Sequence, residues 1–110
     1  MNIEVIRDIV HKTGFRLTGH ASVEAMKDGI SPKDIRYAIF HGKIIEQYLE
    51  REYVDVESCL IYALLPTKIP VHVVLDIIVK QSVVVITVYV PDRNKWTASQ
   101  VRKRKKGKRK

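Results

Sequence analysis

A single cysteine, Cys59, excludes any disulfide within the chain. It sits in an apolar run with Leu60 and Ile61, which predicts a buried strand residue. No apolar stretch approaches the ~20 residues that span a bilayer. Glu4 and Asp8 interrupt the first apolar stripe, where a secretory leader would stay uncharged. The expectation is a cytoplasmic protein with no membrane partner. His11, His20, His41 and His72 show neither paired spacing nor a partnering cysteine pair, so no zinc motif is present. Glycine-rich phosphate loops, a nucleophile-elbow serine, a specific Cys and His arrangement and a carboxylate pair on one helix face are all missing. Any chemistry here is expected to need neither metal nor cofactor.

What the chain does have is basic charge, unevenly placed. The formal net charge is +8 over 110 residues. Residues 102–110, RKRKKGKRK, hold eight Lys or Arg, leaving twelve basic against twelve acidic residues in positions 1–101. The length fits one domain with a real core. A terminal run of like charge without apolar residues cannot pack, so the expected layout is one domain over 1–96 and a disordered basic tail over 97–110. Such an arm suits RNA, with Arg102, Lys103, Arg104 and Lys105 as phosphate contacts. A solubilising end is the plainer reading.

Helix signals come first. Ile3, Ile6 and Val10 recur at helical spacing before Gly14, and Thr18 offers an N-cap for a second helix from His20 to Lys27, closed by Gly29. Ser31, Pro32 and Asp34 are a capping box with proline at the first helical position, and Ile35, Ala38 and Ile39 form one face before Gly42. Phe15 to Leu17 is long enough only for an edge strand or an extended lead-in. After Gly42 the period changes, with strands predicted over 43–50, 58–65, 71–80 and 82–90. Pro66 and Pro70 bracket a short connection, which favours antiparallel neighbours. The expected architecture is α+β: N-terminal helices packed on one face of a roughly four-stranded antiparallel sheet, the other face partly free.

The last two strands carry the candidate site. If Lys80 and Gln81 form a two-residue turn, Val79 pairs with Ser82, His72 falls opposite Tyr89, and Val74 falls opposite Thr87. On that register Val84, Ile86, Val88 and Val90 share one face, and Val83, Val85, Thr87 and Tyr89 share the other. His20, in the string TGHA, sits in a helix first turn, where partial positive charge attracts phosphate. Two histidines in one cleft could divide general-acid and general-base duties. Transition-state charge would fall to Lys43, Arg51, Arg93 or Lys95. Each residue also has a bland reading: a packing histidine, a strand-forming Thr or Tyr, a solvated cation.

TGHA, the Gly-Ile-Ser helix start at Gly29 to Ser31, HGKIIEQY from His41 to Tyr48, then PVHVV and ITVYVP resemble the DUF4258 family over residues 15–96. Its recurring positions fall on His20, Gly29, Gly42, His72, Thr87, Tyr89 and Trp96. The resemblance implies membership of the barnase, EndoU, colicin and RelE-like group of small α+β ribonucleases and toxins. It therefore implies metal-independent RNA cleavage by His20 and His72, with Tyr89 and Thr87 orienting the phosphate. Where family members often carry arginines, this chain has Glu24 and Asp28. A non-catalytic module that binds RNA or a protein through the sheet face and tail is the alternative, and an antitoxin-like protein is a further partner class. Whether the chain is an enzyme stays open at this point.

Overall fold

Each helix is bounded by the signals at its own ends. The computed structural model describes residues 2–48 and 55–92, together with the backbone of 96–97 and 101–102. Helix α1 (Ile3–Thr13) starts where the Asn2 side chain accepts the Glu4 amide hydrogen and buries Ile6, Ile9 and Val10. After the short strand β1 (Arg16–Leu17), helix α2 (Gly19–Lys27) is capped by Thr18 and buries Ala21 and Ala25. It ends in a Schellman turn: Gly29 takes φ +69°, its N–H donates to Met26 O, and the Ile30 N–H donates to Ala25 O at 2.8 Å. The left-handed geometry explains the glycine there. Helix α3 (Pro32–His41) opens on the reciprocal Ser31 and Asp34 capping box. Arg7 ties α1 to the end of α3, its Nε donating to Ile39 O at 2.8 Å and a terminal nitrogen to Gly42 O at 2.9 Å. A guanidinium on the last carbonyls of a helix also complements its dipole.

Four strands then form an antiparallel meander, β2 (Lys43–Tyr48), β3 (Val56–Leu64), β4 (Pro70–Ile78) and β5 (Ser82–Tyr89). The sheet is five-stranded and mixed, in the order β1-β5-β4-β3-β2, because β1 pairs parallel to β5 through Arg16 with Val84 and Leu17 with Val85. The expected four-stranded antiparallel sheet is corrected by that one strand. Two residues carry no periodicity to read, and their pairing depends on the last strand, nearly seventy positions away in sequence. The helices cover one face, where Val71, Val73, Leu75, Ile77, Val83, Val85 and Val88 join the helix residues in a single core. Cys59 is buried in this core as expected.

The β4–β5 hairpin reaches the expected pairing by a different route. Ile78, not Val79, pairs with Ser82, so the loop is one residue longer than expected. A bulge between the Val74 and Leu75 pairs then takes up one extra residue in β5 at Ile86. The two shifts cancel, and His72 stands opposite Tyr89 with Val74 opposite Thr87. The expected stripe of Val84, Ile86, Val88 and Val90 is broken at the bulge. Val83, Val85 and Val88 face the core, while Thr87 and Tyr89 share the helix-free face with His72. Farther along, β6 (Trp96–Thr97) pairs antiparallel with β7 (Val101–Arg102). Among the described residues, no helix is long and apolar enough to cross a membrane.

Candidate functional site on the helix-free sheet face

Antiparallel pairing lines side chains up across the sheet, and one such row runs Lys43, Tyr62, His72, Tyr89 over β2, β3, β4 and β5. His72 is the centre of the row. Its ring meets Tyr62 edge-on at 6.2 Å and Tyr89 edge-on at 5.3 Å between centroids. Its Nδ1 lies 3.3 Å from the Tyr89 hydroxyl. Aromatic rings prefer this T-shaped geometry, and the contact to Tyr89 adds a polar link to it. His72 is 0% exposed, whereas Tyr62 and Tyr89 are half-buried, so the tyrosines are the members of the row that meet solvent. Lys43 is exposed at the outer strand.

Helix α2 runs alongside the β5 edge beyond the end of β1. At one end the Thr18 N–H donates to Val85 O and the Thr18 hydroxyl donates to Ile86 O, both at 3.0 Å. At the other, the Val90 N–H donates to an Asp28 carboxylate oxygen at 2.9 Å. The same Thr18 hydroxyl accepts the Ala21 N–H at 3.0 Å. One side chain thus caps α2 and binds the carbonyl of the bulged residue that puts Tyr89 opposite His72. Asp28 is spent on anchoring the end of β5.

This geometry locates His20. It is exposed in the first turn of α2, two residues after the Thr18 anchor to Ile86. No hydrogen bond or ring contact joins His20 to His72. Thr87 is half-buried on the same face as His72 and Tyr89, one row away. The structure thus brings His72, Tyr89 and Thr87 onto one face, while His20 stands on α2, whose Ala21 and Ala25 pack into the core on the other face. Lys43 closes the far end of the row. Arg51, Arg93, Lys95, Lys103, Arg104 and Lys105 lie outside the described residues, and Arg102 is described only by its paired backbone.

Sequence reasoning missed two members. Tyr62 sits in an apolar run and looks like core; its role emerges only from the β3–β4 register, which places it beside His72. Thr18 was read as a cap, and its second bond, to Ile86, joins residues 68 apart in sequence. The rest of the face is partly acidic and internally bonded. Ser58 Oγ donates to Asp76 at 2.6 Å, and the Tyr48 hydroxyl donates to Glu46 at 2.9 Å. A phosphate is therefore better accommodated at the Lys43 to Tyr89 row than at the middle of the sheet. Among the described residues, no cluster of three or more His, Cys, Asp or Glu side chains is arranged to hold a metal ion. Burial pushes the Cys59 thiol up to about 12, with the N-terminal charge opposing and Asp76 reinforcing, so it is a poor nucleophile near neutral pH.

A family model described as a domain of unknown function, DUF4258, matches residues 17–90. No curated protein and no solved structure matches the chain. The matched span begins at the end of β1 and closes just past β5, enclosing His20, Gly29, Gly42, Tyr62, His72, Thr87 and Tyr89. The chain belongs to the DUF4258 family.

Proposed function

We propose that the protein is a metal-independent endoribonuclease working at the β5 edge, in keeping with the barnase- and RelE-like toxin grouping that its family resemblance implies. The observation that carries this reading is the buried His72 Nδ1 held 3.3 Å from the half-exposed Tyr89 hydroxyl, with a second histidine, His20, exposed in the first turn of α2. His20 takes the proton from a ribose 2′-hydroxyl, whose oxygen attacks the adjacent phosphorus. The bond from phosphorus to the 5′-oxygen breaks, and that oxygen receives a proton through Tyr89. The products are a 2′,3′-cyclic phosphate and a 5′-hydroxyl. His72 acts through Tyr89, because as packed it presents no surface to a substrate. Thr87 and Lys43 orient the phosphate. The basic run at 102–110 gathers RNA by charge but is not needed for the bond-breaking step.

Cleavage of a uniform RNA by purified protein in chelator tests this reading. His20→Ala and Tyr89→Phe should each lose most of the rate while keeping the fold, and wild-type rates in both would overturn it. The complete burial of His72 and the acids on the sheet face favour one other reading, a module that binds RNA without cutting it or holds an antitoxin-like protein. It predicts salt-dependent RNA binding and no product.

A further inference from the structure

Away from that site, the outward side of α3 carries cations and rings at helical spacing. Lys33, Arg36, Tyr37, Phe40 and His41 line an open cleft of about 440 Å³. The Arg36 guanidinium lies 4.7 Å from the centre of the Phe40 ring. Tyr37 and His41 stack at 4.3 Å with their planes 24° apart. Both pairs are spaced four residues apart, so they sit side by side along one stripe. Tyr37 and Phe40 rest against the core, which fixes them, while Arg36 and His41 are exposed. The only acid on α3, Asp34, accepts the Ser31 N–H in the capping box and is committed to the helix start.

A stripe that interleaves fixed rings with cations that form no ion pair among the described residues suits one ligand chemistry especially well: unpaired nucleotides, whose bases stack on aromatic and guanidinium planes and whose phosphates meet the cations. We propose that this face of α3 is a binding platform for single-stranded RNA, with bases stacking beside Phe40 and the Tyr37 and His41 pair, and with Lys33 and Arg36 on phosphates. The inference rests on the RNA reading above and names a contact surface outside its reacting groups. It also fits the chain path. α3 ends at His41, and only Gly42 separates it from Lys43, the outer member of the Tyr62, His72 and Tyr89 row. An RNA strand lying on the platform is thereby led to the corner of the sheet where that row begins.

Fluorescence anisotropy of the full chain with a labelled oligouridylate tests the platform, using Phe40→Leu and, at an exposed position, Arg36→Gln. Phe40→Leu should weaken binding about 5- to 150-fold, the range for losing one stacked base. Arg36→Gln should weaken binding and flatten the logarithmic salt slope by ~0.7, the value for one phosphate contact on a single strand. A duplex RNA of the same length should bind less well. Wild-type affinity and salt slope in Arg36→Gln, equal binding of duplex, or more effective competition by an acidic peptide than by RNA of equal charge would each overturn the platform. Failure of the cleavage reading looks different: oligouridylate is bound, Phe40→Leu and Arg36→Gln weaken it, and no product forms. Cleavage with unchanged affinity in both variants would sink the platform alone.

Discussion

Thr18 offers the sharpest test of how the site is built, because one hydroxyl performs two tasks. It accepts the Ala21 N–H and donates to Ile86 O, both at 3.0 Å and both partly buried. Valine has nearly the same shape, keeps the Thr18 N–H bond to Val85 O, and removes only those two bonds. Loss of the N-cap destabilises by ~0.5–2 kcal/mol. Leaving the Ile86 carbonyl without its partner costs ~1 kcal/mol at partial burial, the low end of the usual range. Thr18→Val should therefore lose about 1.5–3 kcal/mol, a large share of the ~5–15 kcal/mol typical of a domain. Urea unfolding followed by circular dichroism should show the midpoint falling by about 1–2 M at a typical slope. Thr18→Ser keeps both bonds and should stay within ~0.5–1 kcal/mol of the parent. Hydrogen exchange should report faster opening at the Ala21 amide in the valine variant. A loss under ~0.5 kcal/mol in Thr18→Val, or equal losses in valine and serine variants, would refute the idea that this hydroxyl secures the bulge.

Three further outcomes follow from the packing. A Cβ at Gly42 would lie 2.5 Å from both Ala38 O and Tyr62 O, so Gly42→Ala should destabilise by at least the ~1–3 kcal/mol of overpacking, read from the urea midpoint. Val79 and Lys80 hold φ of +54° and +57° in the hairpin turn, geometry that asparagine and glycine adopt more readily; Val79→Asn with Lys80→Gly should stabilise by ~1–2 kcal/mol, and a loss of stability would contradict it. Cys59 should resist a thiol reagent at mildly alkaline pH until the protein unfolds. Its thiol is raised from 9.0 to about 12 by burial, so below about 9 both states keep the proton and it contributes nothing to pH dependence. Above that, the unfolded chain releases its proton first, and native stability should fall by up to ~1.4 kcal/mol per pH unit until the folded thiol also titrates. Replacing Cys59 with Ala should flatten that alkaline slope.

Legibility followed the range of the interaction. The α3 start was readable because Ser31, Pro32 and Asp34 are adjacent and their bonds are local. Gly29 was equally readable, since a left-handed residue after a helix is a local demand. The position of β1 was not, because its pairing with Val84 and Val85 is decided by a strand formed at the other end of the domain. The hairpin is the most instructive case. His72 was placed correctly opposite Tyr89, yet from a turn one residue too short and without the bulge at Ile86. Nothing local marks that bulge: Ile86 lies in a run of β-branched residues that reads as uninterrupted strand, and the Thr18 hydroxyl that binds its carbonyl belongs to a helix cap. The ring pairs on α3 could have been found by placing Arg36 with Phe40 and Tyr37 with His41 four residues apart. The buried stripe of Ile35, Ala38 and Ile39 on the same helix gives the stronger periodic signal.

The proposed cleavage requires Tyr89, beside buried His72, and the exposed His20 to act together on RNA. The most direct measurement is the end chemistry and rate of cleavage of a defined single-stranded RNA by the purified full chain in excess chelator, beside His20→Ala and Tyr89→Phe. The account predicts 2′,3′-cyclic phosphate and 5′-hydroxyl ends from the parent, with rates reduced by ~10²-fold or more in each variant, as expected for loss of a general acid or base. Product formed at the parental rate by both folded variants, or RNA bound and left intact by the parent, would contradict it.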